Sequence, residues 1–285
     1  MIPGSFEYIA PSSVDEALAL LKENGESAKL LAGGHSLIPT MKLRLAEPEV
    51  IVDLNRIGAL KGISESSGTL IIGALTTHYE LETSDLAHRK IPLLAQTAAA
   101  IGDVQVRNKG TIGGSLAHAD PAADWPAAIL ALDAEIKAVG QGGERSIKAS
   151  DFFEDLYTTA IDPEEIITEI HVPIPGANTK GTYLKLPQIA SGFALAGVAV
   201  ILTQVENICQ NLAVGVTGVS SVPYRAAGVE SDLRGKAFSS DNIAAAAEKA
   251  VDGIDDVLED IHASEAYRKN LAKVYTRRAI ESAAS

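Results

Sequence analysis

Two glycine pairs, each closing a short apolar run, constrain this 285-residue chain more than any other feature. One lies in Leu30-Leu31-Ala32-Gly33-Gly34-His35-Ser36 and the other in Gly110-Thr111-Ile112-Gly113-Gly114-Ser115. Paired glycines let a backbone turn through positive φ and approach a ligand closely. Successive N–H groups in such a turn form a concave nest for anions, and Ser36 and Ser115 each add a hydroxyl donor. Two separated nests suit a ligand with two linked phosphates, so a dinucleotide is expected. Neither segment reads G-x-G-x-x-G or G-x-x-x-x-G-K-[ST], which excludes the Rossmann fingerprint and the P-loop.

The formal net charge of −13 argues against nucleic acid and against an anionic membrane face. The longest apolar stretch, from Phe193 to Thr203, is too short to span a bilayer. Met1 to Glu7 has neither the basic flank nor the apolar core of a signal peptide, so the expected location is cytoplasmic. The single cysteine, Cys209, excludes an internal disulfide and a cysteine-ligated iron–sulfur or zinc site; its apolar surroundings predict a core residue.

Local signals predict a helix between Ser12-Ser13 and Asn24-Gly25, a strand over 29–32, a short helix over 36–42 and a strand over 50–54. A hairpin around Ser66-Ser67-Gly68 and a capping box at Thr77–Glu80 follow, then helices over 92–101 and 124–132 and strands over 134–139 and 166–172. Pro173-Ile174-Pro175-Gly176 sets the main domain boundary. Beyond it, strands over 182–186, 194–202 and 212–217 precede helices over 242–251 and 264–283, an α+β order. Arg268, Lys269, Lys273, Arg277 and Arg278 read as a solvated basic face of the last helix.

Between Ser115 and Asp124 the chain gathers His118, Asp120 and Asp124. Metal ligation, acid–base work and hydrogen bonding to sugar hydroxyls compete there, and ribose binding is the best supported. Asp124 can also cap the helix that opens at Trp125-Pro126. His35 is either a phosphate donor or a turn residue, and His78 and His171 read as structural. The chain has no G-x-S-x-G and no H-E-x-x-H. A nucleotide site without a nucleophile or metal favours redox work by the cofactor itself.

With these segments in view the chain resembles the FAD-binding medium subunits of the molybdenum hydroxylase family, which includes those of aerobic carbon monoxide dehydrogenase and xanthine dehydrogenase. The resemblance rests on Met1-Ile2-Pro3-Gly4-Ser5-Phe6-Glu7-Tyr8, on Ala32-Gly33-Gly34-His35-Ser36-Leu37-Ile38-Pro39, on Ile72-Gly73-Ala74-Leu75-Thr76-Thr77-His78 and on Thr111-Ile112-Gly113-Gly114-Ser115. It implies an α+β fold with a two-subdomain FAD-binding region of the p-cresol methylhydroxylase/vanillyl-alcohol oxidase type over 1–175, divided near 57, and a C-terminal α+β domain over 176–285. It implies non-covalent FAD, with Ala32, Gly33, Gly34, His35, Ser36 and Leu37 on one side of the pyrophosphate. Gly110, Thr111, Ile112, Gly113, Gly114 and Ser115 stand on the other, with Thr77, Ala117 and Asp120 alongside.

The resemblance further places Asp124 near ribitol or ribose hydroxyls, Ile101 and Ile167 near the isoalloxazine, and Lys185 at its edge. Phe193 stands where a relative has a tyrosine that screens one flavin face. No residue of this chain is assigned a catalytic or metal-ligating role. Partner subunits are implied: a large molybdenum–pterin subunit and a small subunit with 2Fe–2S clusters, arranged as a dimer of heterotrimers, with FAD passing electrons to an external acceptor. Carbon monoxide, a purine, an N-heterocycle and an aldehyde all stay open as substrates of the complex. A free-standing FAD oxidoreductase of similar fold is the alternative, and a nucleotide-binding regulator without redox work is a third.

Overall fold

The computed structural model describes residues 2–285. Its first unit is a three-stranded parallel sheet in the order β1-β3-β2, formed by β1 (Glu7–Ile9), β2 (Ala28–Leu31) and β3 (Val50–Asp53). Helix α1 (Val14–Asn24) covers it, burying Ala17, Leu18 and Leu21 against Val50, Val52 and Leu54. The helix begins where the Ser13 side chain accepts from the Glu16 N–H and ends where Gly25 takes a φ of 51°. Helix α2 (Leu37–Lys42) leaves the end of β2 through the first glycine pair.

The second unit is a five-stranded antiparallel sheet in the order β4-β5-β10-β6-β7. Its strands are β4 (Ile63–Ser66), β5 (Thr69–Gly73), β6 (Glu135–Gly140), β7 (Gly143–Lys148) and, after the small hairpin of β8 (Phe153–Asp155) and β9 (Thr158–Thr159), β10 (Ile166–Pro173). Between β5 and β6 run α3 (His78–Glu82), α4 (Asp85–Lys90), α5 (Pro92–Ala100), α6 (Val104–Arg107), α7 (Ile112–His118) and α8 (Trp125–Ala131). The Thr77–Glu80 capping box forms at the start of α3.

The third unit is the antiparallel sheet β11-β12-β13-β14, built from β11 (Thr179–Pro187), β12 (Ala194–Val205), β13 (Ile208–Thr217) and β14 (Tyr224–Arg225). Helices α9 (Ala227–Leu233), α10 (Ser240–Ala247) and α11 (Glu265–Ala284) cover one face. The other face packs on the second unit through Tyr183, Ala199, Ile201 and Ala213. Alternate residues of β12 thus enter two cores, which accounts for its near-continuous apolar run.

The expected helices and strands are present, mostly within two or three residues of their predicted ends. Two readings change. Gly113 and Gly114 do not close a strand; they form the first turn of α7, with Thr111 as its N-cap. Arg268 is not on a solvated face. It is 4 % exposed and donates to the Leu195 and Gly218 carbonyls at 2.9 and 2.6 Å and to Asp260 at 2.7 Å. The neighbouring cations Lys269 and Lys273 do lie outside, paired with Glu265 and Glu248. Cys209 is fully buried in the third unit's core. Among the described residues no helix is long and apolar enough to cross a membrane.

Candidate functional site

The two glycine segments meet. A Cβ on Gly33 would fall 2.2 Å from the Lys109 carbonyl oxygen and 2.8 Å from Gly110 Cα. A Cβ on Gly114 would stand 3.4 Å from that of Ala32. A Cβ on Gly110 would fall 2.7 Å from His78 Nε2, and the Trp125 indole N–H donates to His78 Nδ1 at 3.0 Å. Gly33, Gly110, His78 and Trp125 therefore form one column in which each missing Cβ admits the next group. Burial, with the His35 and Arg107 charges, lowers the His78 pKa to about 4, so the ring is neutral and carries its proton on Nε2.

The two turns differ in their free donors. In the first, the N–H groups of Gly33, Gly34, His35, Ser36 and Leu37 have no hydrogen-bond acceptor among the described residues. Gly34 takes a φ of 71°, a conformation that turns successive N–H groups to one side. In the second, all the amides but that of Thr111 are consumed internally. Gly110 donates to Val106 O, Ile112 to Thr76 O, Gly113 to Ala74 O, Gly114 to Thr111 Oγ1 and Ser115 to Thr111 O. The expectation of two equivalent nests is corrected: neither Gly113 nor Gly114 has positive φ, because both belong to a helix start. Their lack of Cβ serves packing, since a methyl on Gly113 would strike Ala74 at 2.6 Å. Ser115 Oγ makes no hydrogen bond among the described residues.

His35 lies on the first turn with Nδ1 2.9 Å from the Gly33 carbonyl oxygen; the oxygen accepts, so Nδ1 carries a proton. Thr77 is committed to its capping box, and its segment bridges to Thr111. Ala117 is exposed on α7. Asp120 turns back on its own loop to accept from the Ala122 N–H at 2.9 Å, while the His118 ring lies 5.2 Å from that of Tyr157. His171 pairs with Glu169 on β10.

A second group gathers around Asp124. Its side chain makes no capping bond, which corrects that reading. It accepts instead from the Tyr183 hydroxyl at 2.5 Å and lies 2.9 Å from Lys185 Nζ. Both partners of the ion pair are nearly fully enclosed, at 4 % and 8 % side-chain exposure. Burial raises the Asp124 pKa, opposed by the Lys185 charge and the Tyr183 hydrogen bond; Tyr183 is itself pushed well up and remains protonated. A carboxylate this deeply buried requires an opposite charge beside it, which explains why the side chain turns away from the helix end.

Lys185 also donates to the Gly192 carbonyl at 2.6 Å, and Gly192 packs on Gly102 beside Ile101. Arg107 ties that bend down, donating to Ile101 O at 3.1 Å and to Glu82 at 2.7 Å. Phe193 closes the same loop and is 44 % exposed. Ile167 is buried in the core of the second unit.

Tyr183 and Asn55 were not singled out by sequence. Tyr183 stands 59 positions from its partner Asp124, so no local spacing marks it. Asn55 follows β3 in Asp53-Leu54-Asn55, and its Nδ2 donates to the Ala32 carbonyl at 2.8 Å. The turn-forming pattern after an apolar run was the available signal.

The site is a backbone cradle of free amides on an α+β scaffold, an arrangement suited to holding an anionic group. Residues 4–175 match the family described as the FAD binding domain in molybdopterin dehydrogenase, and residues 181–283 match the CO dehydrogenase flavoprotein C-terminal domain. The carbon monoxide dehydrogenase medium chain of Hydrogenophaga pseudoflava is 42% identical over 99% of this chain and 98% of its own. The 6-hydroxypseudooxynicotine dehydrogenase complex subunit alpha of Paenarthrobacter nicotinovorans is 38% identical over 99% of this chain and 96% of its own. Among solved structures, a carbon monoxide dehydrogenase from Hydrogenophaga pseudoflava superposes with a TM-score of 0.96 at 42% identity, covering 99% of this chain and 98% of that one. The chain belongs to the FAD-binding medium subunits of the molybdenum hydroxylases. It is an oxidoreductase subunit, a flavoprotein that works within a multi-subunit dehydrogenase.

Proposed function

We propose that this chain holds the FAD diphosphate on the amides of Gly33 to Leu37, with Thr111 to Ser115 closing the opposite wall. The observation that carries this reading is the run of five successive N–H groups without acceptors, set against a second glycine segment in which Gly110 and Gly113 leave no room for a side chain. Bound FAD supplies one- and two-electron redox chemistry. The chain's own residues bind and orient it. His35, Ser36 and Ser115 add polar contacts to the phosphates. Thr77, Ala117 and Asp120 border the same cleft, and Ile101, Ile167 and Phe193 surround the flavin ring. Asp124 and Lys185 act as a buried pair that fixes the Gly192 carbonyl and with it the loop carrying Phe193.

Residues 1–175 form the FAD-binding domain, with subdomains meeting near 57, and residues 176–285 form the C-terminal domain. Electrons reach the flavin from 2Fe–2S clusters of a small partner subunit, and a large partner subunit carries the molybdenum–pterin centre. The only cysteine, Cys209, is buried in the core, so this chain has no thiolate set for a cluster. The assembly is a dimer of heterotrimers in the cytoplasm. The two relatives named above carry different substrates in their names at similar identity, so substrate choice lies with the large subunit.

Titration of the full chain with FAD and with FMN tests the reading. FAD is expected to be retained and FMN, which lacks the diphosphate and adenylate, to be lost on gel filtration. Equal retention of FMN, or failure to retain FAD, overturns it. Bleaching of the bound flavin by an organic substrate added to this chain alone would favour a free-standing oxidoreductase.

A further inference from the structure

The free amides of the first glycine turn point where they do because the carbonyls before them are held from behind. In a trans peptide the C=O and the following N–H point in opposite directions. Asn55 Nδ2 donates to the Ala32 carbonyl at 2.8 Å, which sends the Gly33 N–H the other way. His35 Nδ1 donates to the Gly33 carbonyl at 2.9 Å and does the same for the Gly34 N–H. Asn55 is in turn fixed by Asp53, whose Oδ1 accepts from Asn55 Nδ2 at 2.6 Å and from the Asn55 N–H at 2.9 Å. Asp53 Oδ2 accepts from the Tyr8 hydroxyl at 2.5 Å. The relay Tyr8–Asp53–Asn55 thus runs from β1 across the end of β3 to the turn that leaves β2, the three strands of one parallel sheet.

We propose that Asn55 is a positioning residue for the cofactor diphosphate, acting through the Ala32–Gly33 peptide rather than by touching the phosphates. The inference rests on the FAD-site reading above and adds a residue to it. A turn whose carbonyl is released can rotate that peptide, replacing a donor in the cradle by an oxygen that repels a phosphate. Tyr8 and Asp53 keep the Asn55 amide turned so that its NH₂ group, not its oxygen, faces Ala32.

The test uses the full chain with Asn55→Ala and with Asn55→Leu, which keeps the side chain's shape, adds no charge beside Asp53 and cannot donate. FAD dissociation constants are measured by flavin fluorescence, the melting temperature is followed without FAD, and the Gly33 amide resonance is recorded with and without FAD. Loss of one orienting hydrogen bond is expected to weaken FAD binding about tenfold in both variants. The melting temperature should stay unchanged, and the FAD-induced shift of the Gly33 amide should shrink. Affinity within about twofold of the parent chain in both variants overturns the proposal. So does a loss of affinity matched by a fall in melting temperature, because that reports general unfolding. If the parent chain binds FAD without moving the Gly33 amide, the proposal fails while FAD binding stands; if the parent chain does not bind FAD, the underlying site reading fails first.

Discussion

Gly33 rests on Gly110. The Cα atoms of the two glycine segments approach so closely that a Cβ on Gly33 would lie 2.2 Å from the neighbouring Lys109 carbonyl oxygen. That oxygen belongs to backbone and cannot swing away. Gly33→Ala is therefore expected to separate the segments, to cost about 1–3 kcal/mol and to abolish FAD retention. Gly114→Ala meets no backbone, but the Thr111 Oγ1 cap at 2.8 Å must shift, which offsets the about 1 kcal/mol of helix propensity gained; Ala32 Cβ stands at 3.4 Å. It should keep most of its flavin. Flavin content after gel filtration, together with urea unfolding, separates the two variants; equal loss in both would contradict the backbone contact as the cause.

His78 makes stability depend on pH in one direction. Its folded pKa, about 4, lies below the ordinary 6.5, so between these values the unfolded chain binds the proton and the folded chain does not. The contribution is fully present above pH 6.5 and falls away as pH drops toward 4. Over that interval it amounts to on the order of 3 kcal/mol. His78→Asn should flatten the fall, leaving a smaller slope of unfolding free energy between pH 4 and 6.5 than in the parent chain.

Asp124 and Lys185 form a pair that is costly to break from one side. Lys185→Met leaves a buried carboxyl with only the Tyr183 hydroxyl, and a loss of about 3–5 kcal/mol is expected. Asp124→Asn with Lys185→Met should recover part of that loss, because neither charge is then stranded. Denaturant midpoints of the two singles and the double form the cycle that measures the coupling. Strict additivity would show that the pair contributes nothing as a pair.

Arg268 and Lys269 are adjacent in sequence and opposite in consequence. Arg268→Met strands the Leu195 and Gly218 carbonyls inside the protein and should cost about 1–3 kcal/mol or more. Lys269→Ala removes an exposed pair with Glu265 and should change stability by less than about 1 kcal/mol. Urea unfolding of both variants reads the difference.

Elements announced by local chemistry were legible from the residues alone. Ser13, Gly25 and the Thr77–Glu80 box each mark a helix end through groups only a few positions apart, and they form as the pattern implies. The polar edge strand β7 was not visible, because Glu144, Arg145 and Lys148 carry none of the alternation of a half-buried strand. The glycine pairs pointed to a binding site, but identical letters conceal two uses: Gly34 bends a loop, whereas Gly113 lets a helix lie on Ala74. Arg268 read as part of a charged stripe because the two main-chain carbonyls it binds, Leu195 and Gly218, lie 73 and 50 positions away and leave no mark in the neighbouring sequence. Tyr183, Lys185 and Asp124 meet only after the third sheet docks, which no short-range pattern encodes.

All seven residues of α8 are buried, and the Ala127 carbonyl approaches so near to β13 that Gly215 has no space for a side chain. The cofactor-bearing part therefore has no finished outer surface on that side. A fragment ending near residue 175 would uncover the helix that continues from Asp124. Such a fragment should clump rather than stay dispersed, so the carboxyl-terminal third is half of a shared wall, not a removable module.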